Sequence, residues 1–375
     1  MGLIMATCTP ASWNGLVNAN LPPAPSASNP SAALFNNEPA RMTYWLPDPP
    51  GVEFPTLQDF WEGMSIGITE YRCATKILGP KALVAPPDET TAGTTVRSGP
   101  ASRESRSPNW SGASVAAVGG DTFTQIVGSW VEPPFEKAGS YGTTDEFRSS
   151  IWIGFNGHAA YLDASLPQIG TMQRIAYENN NWVPSRWVWF EWWANTKGKE
   201  AEEYVKPVYL DLNLAEGDTV WCRVDLIASG SVDFPYAARM CICVKRAASA
   251  SKVLIMPFIV YPPKSGNRWS QAVGSTANWI AELPTNIESG APFLLPRFGP
   301  AAGTENRVSF NHCAAAIAPD PGEPLIAERT LEVSKRFHLY SREPRGNPSL
   351  TKIATCLVPR TSDTEFSIQV DGNDG

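Results

Sequence analysis

The chain has 375 residues and a net charge of −7, with 43% apolar residues, 14 Trp, 34 Pro and 29 Gly. Its length corresponds to about two domains, or to one large all-β domain with an extension. The apolar and aromatic content argues against a wholly disordered chain, and the Pro and Gly content argues against coiled coils and helical repeats. We expect neither nucleic acid nor a membrane as a partner, because the sequence has no sizeable basic patch and no apolar run of about 18 residues.

The N-terminal third of the sequence is less regular than the rest. Residues 1–40 are rich in Pro, Ala and Ser, and residues 83–108 are typical of an exposed linker. The denser segment 41–82 between them predicts a short helix and one or two strands. We therefore place a domain boundary after residue 108. We expect residues 1–108 to form a mostly irregular, Pro/Ser-rich N-terminal extension, which is either a propeptide or a regulatory region.

The character of the sequence changes from Asn109 onward. About a dozen short runs of β-branched and aromatic residues follow one another, each bounded by Gly, Pro or Asn. No convincing helical period and no internal repeat interrupts them. Residues 109–375 are therefore expected to form one all-β domain, either a sandwich or a barrel.

Common catalytic motifs are missing from the sequence. It contains no Gly-x-Ser-x-Gly, no His-Glu-x-x-His, no P-loop and no dinucleotide-binding glycine pattern. The three His and seven Cys do not have the spacing of a zinc site, and the odd number of Cys leaves at least one free thiol in a monomer. If the protein is an enzyme, carboxylates and amides are the expected catalytic groups.

One predicted strand, SRWVWFEWW at 185–193, combines several Trp with a single carboxylate. Successive side chains of a strand alternate between its two faces. One face is then formed by Trp187, Trp189, Glu191 and Trp193, and the other by Val188, Phe190 and Trp192. The first face is either a Trp-rich core in which Glu191 is paired at the strand end, or a groove in which aromatic rings hold an extended peptide or glycan.

A second predicted strand, TANWIAELP at 276–284, carries another candidate carboxylate. Alternation places Asn278, Ile280 and Glu282 on one face, and Ala277, Trp279, Ala281 and Leu283 on the other. Taken alone, Glu282 is an ordinary strand-end residue close to Pro284.

Several segments become informative when they are read together in their order along the chain. They are NWSGA (109–113), GSWVEP (128–133), IWIGFNG (151–157), LPQIG (166–170), WFEWW (189–193), EGD (216–218), NWIAELP (278–284) and APFLLPRFG (291–299). This ordered set resembles the eqolisins, the glutamic peptidase family G1 of acid-acting fungal and bacterial enzymes. The resemblance covers residues 109–375.

The resemblance implies both a fold and a catalytic pair. The fold is a lectin-like or jelly-roll-like sandwich of two large antiparallel sheets, with a groove across one concave face. The catalytic pair is Gln168 in the LPQIG segment and Glu282 in the ANWIAE segment. Glu282 would be the general base and then the general acid for the attack of water on a peptide bond, and the Gln168 amide would stabilise the oxyanion.

The activity implied by the resemblance is that of an acid-acting endopeptidase. Its substrate would be a polypeptide, it would need no metal and no cofactor, and we expect it to be a monomer. A catalytic carboxylate with an ordinary pKa of about 4.3 would suit mildly acidic solution.

The resemblance also implies a set of substrate-binding residues. They are Trp110, Trp152, Asn156, Trp189 and Glu191. For the first two, packing in the core is the alternative. Asn156, Met172 and Asn278 stand where the family has acidic residues, and Pro167 precedes the catalytic Gln. The lost carboxylates remove negative charge from the groove, which is expected to shift the pH optimum and the subsite preference.

Two other functions remain open. One is a carbohydrate-binding or glycan-cleaving sandwich that uses the same Trp face; a glycosidase would need two carboxylates about 5–9.5 Å apart, for which Glu191 and Glu282 are the candidates. The other is a catalytically inactive peptidase homologue. The family suggests an extracellular protein, but the N-terminus has no recognisable signal peptide, because the first basic residue is Arg41.

Overall fold

A computed structural model describes most of the chain. The described residues are 41, 46–72, 74, 76–77, 84–85, 104–139, 142–157, 165–194, 206–249, 253–265, 268–286, 292–299, 307–340, 352–357 and 362–370. None of the helices in these ranges is long and apolar enough to cross a membrane.

The described elements are one helix in the extension, a short 3-10 turn at Leu331–Val333 and a succession of strands. The helix is α1 (Pro55–Ser65). The strands are β1 (Glu70–Tyr71), β2 (Lys76–Ile77), β3 (Val84–Ala85), β4 (Glu104–Ser107), β5 (Trp110–Ala116), β6 (Phe123–Val131), β7 (Phe135–Glu136), β8 (Glu146–Phe155), β9 (Leu166–Glu178), β10 (Asn181–Trp193), β11 (Val208–Leu210), β12 (Thr219–Ala228), β13 (Tyr236–Lys245), β14 (Val253–Val260), β15 (Lys264–Ser265), β16 (Arg268–Trp269), β17 (Thr276–Glu282), β18 (Thr285–Asn286), β19 (Arg297–Phe298), β20 (Arg307–Ile317), β21 (Ala327–Arg329), β22 (Lys335–Tyr340), β23 (Lys352–Leu357) and β24 (Phe366–Val370).

The strands form two layers that are joined along one edge. The first layer has the order β2–β11–β10–β9–β8–β17–β5–β22, with β4 beside β22. The second layer has the order β20–β6–β12–β13–β14–β1. Strands β23 and β24 connect the layers, since they pair with each other, with β22 and with β20. Among these described pairs, only β1–β14 and β4–β22 are parallel. The all-β sandwich predicted from the sequence is confirmed.

The space between the layers is filled by alternate side chains of both. Core residues of the first layer include Val188, Phe190, Trp192 and Trp279, and those of the second include Val224, Ile242 and Met256. The indole N–H of Trp279 donates to the backbone carbonyl of Val127 at 2.7 Å, so this buried polar atom is paired. The division into two faces that alternation predicts for the strands at 185–193 and 276–284 is therefore confirmed.

One carboxyl group, that of Glu132, is fully buried just after β6. It accepts a hydrogen bond from the Gln173 amide, which also donates to Thr171 Oγ1 at 3.1 Å. The guanidinium of Arg186 lies 3.9 Å from the same carboxylate oxygen. Burial raises the pKa of Glu132 to about 6, although these hydrogen bonds and Arg186 act in the opposite direction.

Helix α1 of the extension packs on the outer face of the second layer. Leu57, Phe60 and Met64, spaced three and four residues apart, are buried on one side of the helix. The Phe60 ring lies 5.3 Å from the Trp221 ring of β12. The carboxylate of Glu328 accepts a hydrogen bond from the backbone N–H of Leu57 at 3.0 Å, at the positive end of the helix dipole.

The extension also pairs with both outer edges of the sandwich. Strand β1 lies beside β14 in the second layer, and β2 lies beside β11 in the first. Arg223 and Arg239 donate to the backbone carbonyls of Asp48 and Leu46, at 3.0 and 3.3 Å. The helix and strands predicted within 41–82 are thus present, and this part of the extension contributes to the folded body. A propeptide or regulatory role for residues 1–108 stays a prediction.

Candidate active site

The register of the first layer brings the predicted site residues onto one face. Gln168 of β9 lies opposite Glu191 of β10. On β8, Trp152 lies two residues from the position that pairs with Gln168, and Ser150 lies four residues from it. Ser150 pairs with Glu282 of β17, which in turn lies opposite Trp110 of β5. We call this surface, opposite the core, the site face. It carries Gln168, Glu282, Trp110, Trp152, Trp189 and Glu191.

Two glycines give the large side chains of the site face their room. Gly170 lies between Trp152 and Trp189 in register, and a Cβ there would lie 2.7 Å from the Trp152 Cβ. Gly154 lies beside Gln168, and a Cβ there would lie 2.9 Å from the Gln168 Cβ. Both distances are shorter than real Cβ contacts, so side chains at these positions would displace the site residues. The glycines of the IWIG and LPQIG segments therefore have a steric role.

Gln168 and Glu191 form a buried hydrogen-bonded pair. Gln168 Nε2 donates to Glu191 Oε2 at 2.8 Å, and the two residues are only 3% and 2% exposed. The amide nitrogen is the donor and the Glu191 oxygen is the acceptor, so this bond orients the amide nitrogen of Gln168 toward Glu191. The remaining oxygens, Gln168 Oε1 and Glu191 Oε1, have no hydrogen-bond partner among the described residues.

Glu282 is held by two other side chains of the site face. Trp152 Nε1 donates to Glu282 Oε2 at 2.8 Å, and Asn109 Nδ2 donates to Oε1 at 3.3 Å. Burial raises the pKa of Glu282 to about 7, although Trp152, Trp110 and Asn109 act to lower it. The expectation of an ordinary carboxylate pKa is therefore wrong, because strand alternation does not reveal how completely this end of β17 is covered.

Glu191 and Glu282 interact electrostatically across the site face. The pKa of Glu191 lies well above its usual range, first because of burial and second because of the charge of Glu282, while the bond from Gln168 lowers it. Two carboxyl groups in such a relation do not ionise independently, and near neutral pH the pair favours a single negative charge.

Asn156 differs from the other predicted binding residues. It lies just after β8 in the left-handed region, with φ of 61°, and is fully buried. Its side chain donates to the Ser165 carbonyl at 2.7 Å and accepts from the Ser275 backbone N–H at 2.9 Å. Its own carbonyl accepts a hydrogen bond from Asn278 Nδ2 at 2.5 Å. These bonds hold a turn together, and a substrate contact for Asn156 stays a prediction that this geometry does not favour.

The aromatic residues of the site face pack against one another. Trp110 meets Trp152 edge to face, with ring centroids 5.2 Å apart, and also meets Phe337 of β22 at 6.0 Å. The sequence interpretation missed Phe337, which carries no local signal, and Asn109, which contacts the Glu282 carboxylate. Asn109 directly precedes Trp110 in the NWSGA segment, and its position there was the signal that could have identified it.

The site face is covered in this structure. The residues Trp110, Trp152, Gln168, Trp189, Glu191 and Glu282 are each no more than 5% exposed. The extension contacts the same layer on several sides, since β2 pairs with β11, β3 pairs with β18 just beyond Glu282, and β4 pairs with β22. These six side chains are therefore shielded from solvent in this structure.

Among the described residues, no cluster of three or more His, Cys, Asp or Glu could hold a metal ion. The five Cys in the described ranges are all buried and free of disulfides: Cys222, Cys241, Cys243, Cys313 and Cys356. Burial raises the thiol pKa of each of them, so none has the lowered pKa of a reactive cysteine.

Comparison with known proteins finds similarity to a peptidase family over part of this chain. Residues 108–234 match the model of the Peptidase A4 family, a segment that contains Gln168 and Glu191 but ends before Glu282. Among solved structures, aspergilloglutamic peptidase from Aspergillus niger is similar at 17% identity and a TM-score of 0.32, over 60% of this chain and 99% of that one. The PL-14 alginate lyase from Aplysia kurodai is similar at 12% identity and a TM-score of 0.19, over 44% and 70%. No curated protein matches the chain. The family match confirms the resemblance to the eqolisins found in the sequence, and it shows similarity to these peptidases over residues 108–234.

Proposed function

We propose that this protein is an endopeptidase that hydrolyses peptide bonds with Glu282 and Gln168. The observation that carries the proposal is the site face itself. It holds one amide whose orientation is fixed by Glu191 and one carboxyl group held by Trp152 and Asn109, in a surrounding of indole rings. Peptidases of this chemistry need a base, an oxyanion donor and an acid, and these groups supply all three.

Glu282 is the proposed general base and acid. In its ionised form it removes a proton from a water molecule, which attacks the carbonyl carbon of the peptide bond. The proton then resides on Glu282 and passes to the leaving amine when the C–N bond breaks, so that the carboxylate is restored. The hydrogen bonds from Trp152 and Asn109 hold the carboxylate in place through these steps and lower its pKa against the effect of burial.

Gln168 is the proposed oxyanion donor. One N–H of its amide donates to Glu191, which leaves the second N–H of the same nitrogen for the oxygen of the tetrahedral intermediate. A preorganised donor of this kind typically contributes about 3 kcal/mol to stabilisation of the transition state. Gln168 and Glu282 are separated along the site face, so the scissile carbonyl and the attacking water would lie between them.

The pKa of Glu282 sets the proposed pH dependence. General-base catalysis requires the ionised form, and with a pKa of about 7 only about 1% of Glu282 is ionised two pH units lower. Activity is therefore expected to rise with pH through about 7, a less acidic range than the family resemblance suggests. The loss of acidic residues at Asn156, Met172 and Asn278 acts in the opposite direction, because neighbouring carboxylates would raise the pKa of Glu282 further.

We propose that the extension controls the access of substrate to the site face. Its strands β2 and β4 lie at opposite edges of the site layer, and β3 lies beside β18, directly after Glu282. The chain between Ile77 and Glu104 therefore connects one edge of this layer to the other. We propose that cleavage of this connection opens the site face, which agrees with a propeptide role for part of residues 1–108.

The test is cleavage of an unfolded protein substrate between about pH 3 and 9, before and after limited proteolysis of the extension. Wild type is compared with Glu282→Gln, Gln168→Ala and the matched control Glu178→Gln, whose side chain is exposed at the end of β9. Loss of a pepstatin-insensitive activity in the first two variants but not in the control supports the proposal. Full activity in Glu282→Gln would refute it.

One specific observation supports a second candidate function, glycan cleavage. Glu191 and Glu282 are two carboxyl groups on one aromatic face, and the charge of one affects the pKa of the other. The amide of Gln168 bonds Glu191 rather than Glu282, so Glu191 is not turned away from the site. Release of reducing ends from uncharged and acidic polysaccharides, lost in both Glu191→Gln and Glu282→Gln, would favour this candidate over peptide hydrolysis.

A further inference from the structure

A cavity lies where β4, β20, β22, β23 and β24 meet, at the edge that joins the two layers. Its volume is about 460 Å³, and its lining differs from that of the site face. The charged and titratable residues of the lining are Glu104, Arg307, Arg336, His338, Lys352 and Cys356. We call this cavity the basic pocket.

The basic pocket concentrates positive charge in an acidic protein. Arg307, Arg336 and Lys352 supply three cations against the single carboxylate of Glu104, while the whole chain carries −7. These groups come from different strands, so no single sequence segment reveals the cluster. A concave site lined by one sign of charge raises the local concentration of ions of the opposite sign.

His338 lines the basic pocket together with these charged groups. It is 8% exposed, and its Nε2 is 3.9 Å from the Glu104 carboxylate. Burial lowers the pKa of His338, and Lys352 and Arg336 lower it further, while Glu104 acts in the opposite direction. The Cys356 thiol, which also faces the pocket, has a pKa raised to about 12 by burial and stays neutral.

Polar atoms of this group lack partners. Both ring nitrogens of His338 and the Nε of Arg336 are buried, and none of the three has a hydrogen-bond partner among the described residues. Buried polar atoms in folded proteins are almost always paired with protein, water or ligand. The Arg336 N–H and the single N–H of a neutral His338 ring are donors without acceptors on a cationic wall, which indicates a ligand rich in acceptor oxygens and negative charge.

We propose that the basic pocket binds a tetrahedral oxyanion, the chemistry of a phosphate or sulfate group. The guanidinium of Arg336 presents parallel donors that match two oxygens of such a group, and Lys352 adds a point charge. The His338 ring completes the set by donating to a third oxygen. The pocket is larger than a bare phosphate requires, so it also accommodates this group when it is carried by a small organic molecule.

Oxyanion binding is expected to be coupled to proton uptake by His338. Without the anion, Arg336 and Lys352 oppose a positive charge on the imidazole, and Glu104 only partly offsets them. An anion placed among these cations reverses the sign of the local field, which favours the doubly protonated ring with two N–H donors. The affinity for sulfate, which remains a dianion over this range, should therefore rise as the pH falls from about 7.5 to about 5.5.

The experiment uses the full chain at constant ionic strength, with calorimetric titration of inorganic phosphate, sulfate and glycerol phosphate. In parallel, the ring signals of the histidines are followed by NMR as a function of pH. We expect saturable binding and an upward shift of the His338 titration midpoint when phosphate is present. His312, which contacts Phe60 and Trp221 elsewhere in the fold, serves as the internal control and should not shift.

Variants test which groups hold the anion. Arg336→Gln and the exposed Lys352→Gln should each weaken phosphate binding by about tenfold or more, the loss typical of a removed charge-assisted hydrogen bond. Lys137→Gln makes the same charge change away from the pocket and should bind as wild type does. If Arg336→Gln fails to fold by circular dichroism, Lys352→Gln and the His338 titration decide the question.

The outcomes separate the sources of the oxyanion. Equal affinity for inorganic phosphate and glycerol phosphate supports a free anion, and tighter binding of the ester supports a phosphate group on a larger molecule. The proposal is overturned if wild type shows no saturable binding up to about 20 mM phosphate, or if the pocket variants bind as tightly as Lys137→Gln.

Discussion

Replacing the buried Glu132 with Gln is expected to remove one part of the pH dependence of stability. The pKa of this carboxyl is raised from 4.5 to about 6, mainly by burial. A raised pKa means that the folded state binds the proton more tightly than the unfolded state, so the stabilisation is complete below about pH 4.5 and is lost as the pH rises through about 6. The difference between these pKa values corresponds to about 2 kcal/mol.

The Glu132→Gln variant is well matched for this test. Gln keeps a side-chain oxygen that can accept the hydrogen bond from Gln173, and it has no charge to bury. Guanidinium denaturation at about pH 4.5 and about pH 8 gives the free energy of unfolding for each protein. Wild type should lose about 2 kcal/mol more than Glu132→Gln between the two pH values, because the raised pKa of Glu282 affects both proteins equally.

An exposed carboxylate gives the control for this comparison. Glu178→Gln makes the same chemical change at a side chain that is 46% exposed and should keep the wild-type pH dependence. If Glu132→Gln loses as much stability as wild type when the pH is raised, then Glu132 ionises without cost and the argument from its burial is wrong.

Three further predictions concern the site and the extension. Trp152→Phe removes a hydrogen bond that lowers the pKa of Glu282. The rising limb of the kcat/KM profile should therefore move to higher pH, and an unchanged limb would mean that Glu282 is not the base. Phe60→Ala should lower the free energy of unfolding by about 3–5 kcal/mol in chemical denaturation, because this fully buried ring packs on Trp221; a loss below about 1 kcal/mol would mean that α1 is not docked. After cleavage between Ile77 and Glu104, the N-terminal fragment should co-elute with the body in gel filtration, since α1, β1 and β2 stay paired with it; separation of the fragment in native buffer would contradict this packing.

Strand alternation in the sequence predicted which residues of the candidate site share one face. The two-residue period of 185–193 correctly separated the core residues Val188 and Phe190 from Trp189 and Glu191. The family resemblance then selected Gln168 and Glu282 from many polar residues, and the register puts both on the same face as Glu191.

Other features depend on contacts between distant segments, which a local pattern does not reveal. Phe337 reaches the site face because β22 pairs with β5, and the Ser111 hydroxyl donates to its backbone carbonyl across a separation of 226 residues. The raised pKa of Glu282 likewise depends on everything that covers it. The basic pocket draws its charged residues from several strands, so composition and charge spacing did not predict it.

The strands that the extension adds at β11 and β14 have a further consequence for behaviour in solution. Without these added strands, the edges of β11 and β14 would each present a row of unpaired backbone N–H and C=O groups. Such edges act as templates for pairing with another chain. With β2 and β1 in place, part of each row is occupied by the protein's own backbone. A shorter chain beginning at Asn109 would expose both rows together with the apolar surface left by α1, and it should self-associate where the longer chain remains dispersed.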